Sequence, residues 1–409
     1  MKKILIIFVA LFMMIFNVNA LEITSEHAVM YNLNDNKIVY EKNKDEITSI
    51  ASLTKIMTTL VAIEQIADIN KTVVLNNSMF EGLYEAEAAV IGLKDGQVLT
   101  YEDLLYGTFI SSGADATRAL TISLAGSETN FVKLMNDKAK ELGLVNTKYI
   151  NATGLDEIGQ ISTVDEVARL LKVALENKLF KTIFESRSYT LSDDSMTIYS
   201  TLSNTSIRYG LNINSVVGAK TGYTDDAGFC LASVGHDKTN DIKYLLVTTK
   251  APISFEKANH LEDAIEVYDY YFNNYKYYNL VDKDAKLLTF DTKYSKLKNV
   301  SFKAPYDVKY YSDSSFNKEQ VRLKYNGPDV LKPFTKVGKE IGTLDIMYGD
   351  QKVNTISVTL QEKVPFSIIQ FLKSNIVIII LIIILGRIIK KRKRKKKTIK
   401  RYNRRYRKK

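Results

Sequence analysis

The chain has 409 residues, which is enough for two or three domains with a substantial hydrophobic core. Its formal net charge of +11 is typical of a nucleic-acid-binding protein, but 16 of its 57 Lys and Arg residues lie between Arg387 and Lys409, and two more are Lys2 and Lys3. The rest has 39 basic residues against 46 acidic ones, so the positive charge belongs to a tail and argues against a nucleic-acid partner.

Residues 1–20 are predicted to be a secretory signal peptide. Two lysines precede an apolar run from Ile4 to Phe16, and small or modest residues lead to an expected cleavage after Ala20. The single cysteine, Cys230, lies in an apolar run and cannot form an internal disulfide. An exported chain of this kind must therefore be stabilised by packing rather than by cross-links.

Residues 21–274 are predicted to form a mixed α/β (α+β) domain, with an antiparallel sheet flanked by helices. A β-hairpin is predicted over His27–Glu41, and helices are predicted over Ser52–Asn70, Tyr101–Phe109, Ala114–Leu124, 128–142, Glu166–Glu176 and Leu261–Phe272. Strands are predicted at Ser188–Leu191, Ser215–Gly218, Gly228–Val234 and Tyr244–Thr249. The last of the helices is apolar on one face and is expected to close the domain by packing on the sheet.

Residues 275–363 are predicted to be a separate, small all-β domain. Val321–Tyr325 and Ile356–Leu360 alternate strictly between apolar and polar residues, and Tyr348–Gln351 has the composition of a hairpin turn. This part of the sequence has no cluster of residues that could carry chemistry. A role as a spacer or in binding a partner is expected.

A C-terminal transmembrane anchor is predicted over residues 366–389. Ile376–Leu385 is an unbroken aliphatic run, and the window Phe366–Gly386 has 21 residues, close to the roughly 20 that a spanning helix needs. The eight consecutive bases Lys390–Lys397 would stop transfer and keep the tail, residues 390–409, in the cytoplasm, with the body outside the cell. The alternative is an interfacial amphipathic helix, which an all-aliphatic run disfavours because it has no polar face.

Ser52 and Lys55 are a candidate catalytic pair. If this segment is helical, positions three apart lie on one face, so the Ser52 hydroxyl comes within hydrogen-bonding reach of the Lys55 amine. A serine hydroxyl is a poor nucleophile at neutral pH, and a lysine whose charged form is disfavoured by burial can accept its proton. The spacing therefore predicts a nucleophile beside a base.

The same S-x-x-K spacing occurs elsewhere, so the setting of Ser52 matters. Exposed loop or strand residues are the simpler interpretation of the other three pairs, Ser254/Lys257, Ser295/Lys298 and Ser315/Lys318. Ser52 differs because apolar residues follow it at the spacing of a buried helical stripe, namely Leu53, Ile56, Met57, Leu60 and Ile63. The pair is therefore predicted to open a helix of the core.

Two further motifs join this pair. Ser112-Gly113-Ala114 opens a predicted helix, and Lys220-Thr221-Gly222, which occurs once, lies between two predicted strands. Gly222, in the Lys-Thr-Gly motif, would let a bulky ligand lie close to the backbone. The order S-x-x-K, S-x-N-like, K-T-G matches the motifs of penicillin-binding proteins and class A β-lactamases. Their chemistry calls for no metal and no cofactor, and for none of the three histidines.

With these motifs, the chain resembles the low-molecular-mass penicillin-binding proteins that are D-alanyl-D-alanine carboxypeptidases. The resemblance extends roughly from His27 to Leu360 and is carried by Ala51–Lys55, Glu102–Gly107, Ser112–Ala116, Asn151–Leu155, Gly218–Thr224 and Val337–Leu344. It implies a penicillin-recognising, transpeptidase-like α/β fold. It also implies a peptidoglycan stem peptide ending in D-Ala-D-Ala as substrate, and β-lactam antibiotics as inhibitors.

The resemblance also implies catalytic roles. Ser52 would attack the carbonyl of the penultimate D-alanine while Lys55 takes its proton. Ser112 and Lys220 would pass the proton towards the leaving amine, and water would then hydrolyse the acyl-enzyme.

Substrate-binding roles are implied at the K-T-G motif. Thr221 would hydrogen-bond the terminal carboxylate, helped by the charge of Lys220. The backbone N–H groups of Ser52 and Tyr223 match the oxyanion hole of the family. Gly222, the third residue of the motif, lies between Thr221 and Tyr223 and is also expected to contact the substrate.

Two residues depart from the family pattern. In the motif that begins at Ser112, the asparagine usual in the family is replaced by Ala114. Losing a hydrogen bond of the asparagine amide typically costs about 0.5–3 kcal/mol, which slows an enzyme more readily than it abolishes activity. An arginine is common in the family near the position of His260. A histidine there would make the grip on the carboxylate weaken as pH rises.

Two alternative functions remain at this point. A β-lactamase would need a dedicated deacylating carboxylate, and the sequence has no E-x-x-L-N signature. A penicillin-binding wall protein with little turnover is the other alternative, and Ala114 is the reason to consider it. Release of D-alanine from a D-Ala-D-Ala peptide would distinguish the carboxypeptidase from both.

Overall fold

The computed structural model describes residues 21–406, with side chains described for residues 21–400. The predicted signal peptide, residues 1–20, lies outside the described residues. Contacts divide the chain into two units, which meet in sequence between Asn274 and Tyr275.

The first unit contains nine strands and eight α-helices within residues 21–274. The strands are β1 (His27–Asn32), β2 (Lys37–Lys42), β3 (Thr72–Val74), β4 (Val98–Thr100), β5 (Ser188–Thr190), β6 (Thr197–Tyr199), β7 (Val216–Thr224), β8 (Gly228–Asp237) and β9 (Ile242–Ala251). The helices are α1 (Thr54–Gln65), α2 (Tyr101–Phe109), α3 (Ala114–Ala125), α4 (Glu128–Glu141), α5 (Val164–Ala174), α6 (Lys178–Glu185), α7 (Thr201–Tyr209) and α8 (Asn259–Asn274). A single 3-10 turn, Ala51–Leu53, precedes α1.

A five-stranded antiparallel sheet organises this unit, in the order β2-β1-β9-β8-β7. All six residues of β1 are buried, because helices cover both faces of the sheet. One face packs on α5 and the helical core. The other face packs on α8, where the hydroxyls of Tyr268 and Ser233 lie 2.9 Å apart. Strand β7 lies at the edge of the sheet, and the Ala51–Leu53 turn packs against it.

Helix α1 lies at the centre of the helical core. Leu53, Ile56 and Met57 are completely buried, as the apolar spacing predicts, whereas Ile63 is only partly buried. The helix ends at Gln65 rather than near Asn70. The reason is a local turn in which the Asp68 carboxylate accepts the Asn70 amide, a competing arrangement typical of aspartate.

Three details of the sequence interpretation were wrong. Lys220–Gly222 lies inside strand β7, not between strands, because the ladder with β8 continues without a break from Gly218 to Thr224. Helices α6 and α7 were not predicted. The sequence of α7 is rich in Ser, Thr and Asn, which are weak helix formers, so capping by Ser200 and packing on β7 decide its structure.

The second unit contains eight strands and two α-helices within residues 275–406. The strands are β10 (Tyr275–Val281), β11 (Lys286–Thr292), β12 (Asn299–Lys303), β13 (Val308–Asp313), β14 (Val321–Asn326), β15 (Val330–Leu331), β16 (Glu340–Tyr348) and β17 (Gln351–Thr359), and the helices are α9 (Ile368–Ser374) and α10 (Ile376–Tyr406). Three small sheets, β10-β13, β12-β11-β15 and β14-β16-β17, enclose a core that includes Leu344, Ile346 and Ile356.

The predicted single C-terminal helix is two helices. Among the described residues, no single helix has both the length and the apolar composition needed to cross a membrane. Ile368–Ser374 and Ile376–Lys400 meet these requirements only as a pair, and the pair is bent by 73°. The break falls at Asn375, whose side-chain amide donates to the Phe371 carbonyl.

Candidate active site

Ser52 and Lys55 lie together at the start of α1. Ser52 is in the 3-10 turn that precedes the helix, and Lys55 is in the first helical turn. Lys55 Nζ lies 3.0 Å from Ser52 Oγ and donates a hydrogen bond of 2.5 Å to the Thr153 carbonyl. A turn this tight keeps the hydroxyl over the amine, as the three-residue spacing predicts.

Two glycines allow other segments to approach the Ser52 turn. A Cβ on Gly154, which has φ +82°, would lie 2.1 Å from the Ala51 carbonyl oxygen. A Cβ on Gly222 would lie 3.0 Å from the Ser52 amide nitrogen. The sequence interpretation assigned Gly222 to close approach by a ligand, but the Ser52 turn itself occupies that space. Residue 51 has φ 45°, which is uncommon for alanine and shows how tightly this turn is held.

Ser112 and Lys220 form a second hydroxyl–amine pair. Lys220 Nζ donates to Ser112 Oγ at 2.9 Å and to the Thr221 carbonyl at 2.7 Å. Ser112 lies between α2 and α3 with φ 58°, again in the left-handed region. The fully buried Lys220 reaches it from β7, 108 residues away in sequence.

Burial lowers the pKa of both lysines. The pKa of Lys55 falls to about 7 because the side chain is desolvated, although the carboxylates of Asp115 and Glu128 oppose this effect. Burial also lowers the pKa of Lys220 well below its usual value, and the nearby Lys55 adds to that effect. Near neutral pH, the site therefore contains amines that can accept a proton.

A network that the sequence did not reveal holds Lys55 in place. The Glu128 carboxylate accepts the Ala152 amide at 2.9 Å, and the Ala152 carbonyl accepts the Thr58 hydroxyl at 2.7 Å. This fixes the loop whose next residue, Thr153, contacts the Lys55 amine. Arg118 lies 3.6 Å from the same carboxylate. Glu128 is the first residue of α4 and lies 73 residues after Lys55 in the sequence. Nothing in the sequence around Glu128 indicates a role at the site.

The predicted site residues line one cleft of about 630 Å³. Ser52, Lys55, Ser112, Thr221, Gly222 and Tyr223 all contribute to its walls, and Lys220 lies behind Ser112. Helix α7 adds Thr201, whose hydroxyl accepts a 2.7 Å hydrogen bond from the Thr221 hydroxyl. Sequence reasoning missed Thr201 because α7 was not predicted. Across the described part of the chain, no group of His, Cys, Asp or Glu side chains has the arrangement of a metal site.

Comparison with known proteins identifies the family. The D-alanyl-D-alanine carboxypeptidase family, peptidase family S11, matches residues 14–252. The chain belongs to this family. It is 29% identical over 327 residues to the D-alanyl-D-alanine carboxypeptidase DacF of Bacillus subtilis, covering 78% of this chain and 80% of DacF. It is also 32% identical over 209 residues to DacC of Escherichia coli, covering 48% of this chain and 50% of DacC.

Solved structures agree on the fold. Penicillin-binding protein 5 of Haemophilus influenzae superposes with a TM-score of 0.60 at 22% identity, covering 84% of this chain and 98% of that one. Penicillin-binding protein 3 of Streptococcus pneumoniae superposes with a TM-score of 0.61 at 21% identity, covering 84% of this chain and 100% of that one. The mixed α/β penicillin-binding protein fold predicted from the motifs is confirmed. The protein is a serine-type D-alanyl-D-alanine carboxypeptidase, a hydrolase.

The predicted pH effect of His260 was wrong. The side chain is buried beside Phe229, with ring centroids 4.8 Å apart, and it lines the cleft. Burial lowers the pKa of His260 to about 4, so the imidazole is neutral throughout the neutral range. His260 therefore offers no positive charge for pH to remove, unlike the arginine that is common in the family.

Ala114 leaves the second motif without a side-chain amide. Its backbone amide donates to the Ala89 carbonyl at 2.7 Å, and its methyl group lines the cleft. Lys55 contacts the Thr153 carbonyl and Ser52 instead. The Thr153 carbonyl, next to the Ala152 amide that Glu128 accepts, is thus one of the groups that orient the Lys55 amine in this chain.

Proposed function

We propose that Ser52 is the nucleophile that forms the acyl-enzyme and that Lys55 is its general base. The observation that carries this proposal is the 3.0 Å separation of the two groups, together with a pKa of about 7 for Lys55. At neutral pH, a large fraction of Lys55 is uncharged and can take the serine proton as the hydroxyl attacks.

Lys220 and Ser112 then carry the proton to the leaving amine. Their 2.9 Å hydrogen bond and their place at the same cleft support this relay. Both side chains are buried, which limits the competition of water for the proton.

The substrate is a peptidoglycan stem peptide ending in D-Ala-D-Ala, and the reaction releases the terminal D-alanine. The Thr221 hydroxyl donates to the terminal carboxylate, exchanging its present acceptor, Thr201, for the substrate. The backbone N–H groups of Ser52 and Tyr223 stabilise the oxyanion. Strand β7 supports this role because it is an edge strand lying against the Ser52 turn.

β-Lactam antibiotics act on the same groups. A penicillin acylates Ser52, and the acyl-enzyme accumulates when water attacks it slowly. This makes labelling by a fluorescent penicillin a direct assay of the nucleophile.

The decisive experiment compares wild-type protein with Ser52→Ala. We expect the substitution to abolish both penicillin labelling and the release of D-alanine. The matched control is Ser254→Ala, which changes the serine of another S-x-x-K sequence that lies in an exposed loop. Undiminished labelling of Ser52→Ala, or equal loss in the control, would overturn the assignment.

We also propose that residues 1–20 direct export and that residues 366–389 anchor the protein in the membrane, with the tail, residues 390–409, in the cytoplasm. The catalytic domain, residues 21–274, and the all-β domain, residues 275–363, then lie outside the cell. The aliphatic run in α10 and the basic block after it support this proposal. Deleting residues 364–409 should release an active protein from the membrane fraction. Retention of the truncated protein in that fraction would contradict the anchor.

A further inference from the structure

The second unit exposes an aromatic side chain in a strained conformation. Phe334 is 84% exposed, and its φ of 76° lies in the left-handed region, which bulky residues rarely adopt. Val337, in the same loop, is 56% exposed. Neither the core nor the cleft uses these side chains. A backbone that is strained while it presents an apolar side chain to solvent indicates a function for that side chain.

Phe334 belongs to an aromatic cluster at the base of the C-terminal helices. Its ring centroid lies 5.5 Å from that of Phe366, which lies 6.0 Å from Phe371, and Phe371 packs edge-on against Tyr294 at 5.1 Å. Tyr294 also has a positive φ, of 61°. The Ser367 amide donates to the Tyr294 carbonyl at 2.8 Å. These contacts hold the start of α9 against the loops of the all-β part of the unit.

Helix α9 extends the apolar surface. Ile368 is 65% exposed, and Ile369 and Leu372 are also exposed. These α9 side chains belong to the proposed anchor, whereas Phe334 and Val337 lie outside it. We call the exposed loop that carries Phe334 and Val337, residues 332–339, the collar. Phe334 and Phe366 are an exposed pair of aromatic rings next to the apolar α9, which is a candidate binding surface.

Lysines, and no acidic residues, occur in the collar and in the segment whose Phe366 contacts it. Residues 332–339 contain Lys332, Lys336 and Lys339, and residues 363–373 contain Lys363 and Lys373. Glu340 and Glu362 flank these segments, and the Glu340 carboxylate accepts the Ser357 hydroxyl. Exposed aromatic and aliphatic side chains in a segment that also carries lysines match the interfacial region of a bilayer that contains anionic lipids.

We propose that the collar lies in the headgroup region of an anionic phospholipid membrane. The inference rests on the proposed membrane anchor, since α10 begins directly after α9. It goes further, because it assigns lipid contact to the loop of residues 332–339, which lies outside the anchor. Phe334 and Val337 enter the acyl boundary while the lysines meet lipid phosphates.

The test uses the absence of tryptophan from the sequence. Phe334→Trp, made in the full-length chain, introduces a single fluorescent reporter. In vesicles of phosphatidylcholine and phosphatidylglycerol, we expect its emission to shift to shorter wavelength and to be quenched by brominated lipids. The matched control is Phe255→Trp in the first unit, where the native phenylalanine is 88% exposed. Its emission should stay at long wavelength and resist quenching.

The outcomes separate the collar from the anchor. Flotation of the protein with vesicles, combined with an unquenched indole at position 334, would overturn the collar and leave the anchor intact. Loss of flotation would overturn both. Replacing Lys332, Lys336 and Lys339 with Gln in the reporter protein should reduce the quenching. Unchanged quenching in that variant would overturn the choice of an anionic surface.

Discussion

At one side of the cleft two buried amines face two serine hydroxyls, whereas the side formed by α7 and α8 presents threonine hydroxyls and a neutral imidazole. The amine side depends on desolvation, which lowers the pKa of Lys55 and Lys220 so that they can move protons. The hydroxyl side depends on hydrogen-bond geometry, because His260 is uncharged at neutral pH. Substitutions should therefore affect chemistry on one side and substrate binding on the other.

The largest effect is expected for Lys55→Ala. Without the base, Ser52 keeps its proton, and the rate of penicillin acylation should fall by about 10²–10⁴-fold. Labelling with a fluorescent penicillin, quenched at successive times, would measure this rate. The control is Lys257→Ala, which removes the lysine of an exposed S-x-x-K sequence and should leave the rate unchanged. A similar fall in the control would contradict the assignment of the base to Lys55 on the amine side of the cleft.

Gly154→Ala should disrupt the contact between the 151–154 loop and the Ser52 turn. A Cβ there would lie 2.1 Å from the Ala51 carbonyl, so overpacking of about 1–3 kcal/mol adds to the roughly 1–2 kcal/mol cost of a positive φ. Gly159→Ala, at φ +89° with no atom closer than 3.9 Å, tests the cost of φ alone. Chemical denaturation and penicillin labelling would measure both variants. If both variants lose the same free energy of unfolding, the 151–154 loop moves to accommodate the added methyl group.

Glu128→Gln should shift the pH dependence of acylation. In wild-type protein, the rate should rise with pH around an inflection near 7, where Lys55 loses its proton. The Glu128 carboxylate favours the charged amine, so its neutralisation lowers the pKa of Lys55 and moves the inflection to lower pH. The amide can still accept the Ala152 N–H, which preserves the loop. A lower rate with an unmoved inflection would indicate a purely structural role.

Thr201→Val should act on binding rather than on chemistry. The Thr221 hydroxyl gives up this hydrogen bond, worth about 0.5–1.5 kcal/mol, when it turns to the substrate carboxylate. Because the valine removes that cost of binding, KM for a D-Ala-D-Ala peptide should fall by up to roughly tenfold while kcat changes little. Thr201→Ser retains the hydroxyl and should restore KM. An effect on kcat alone would place Thr201 with the amine side.

The smallest effect is expected from pH on substrate binding. Because the pKa of His260 is about 4, KM should show no titration of this residue between about pH 5 and 8. Steady-state kinetics across that range would check this. A rise in KM near pH 6.5 that disappears in His260→Gln would mean that the imidazole is charged in the complex.

Local sequence signals predicted much of the first unit. Tyr101–Phe109 was predicted with its observed bounds, and the structure adds a capping box of Thr100 and Asp103 at the start of the helix. The Ser52 and Lys55 pair was predicted from its helical spacing and from the apolar stripe that follows it in the sequence. Helix α7 and the full length of β7 were not predicted, since contacts between segments distant in sequence decide both.

The sequence by itself determined the three catalytic motifs, the family and the order of the main elements, because each depends on residue type and short-range spacing. The tertiary structure alone decided that the Glu128 carboxylate supports the loop at Lys55, that Gly154 admits this loop and that Thr201 pairs with Thr221. It also decided the ionisation of the site. By removing water, the fold lowers the pKa of Lys55 to about 7, where it can act as a base, and lowers the pKa of His260 to about 4.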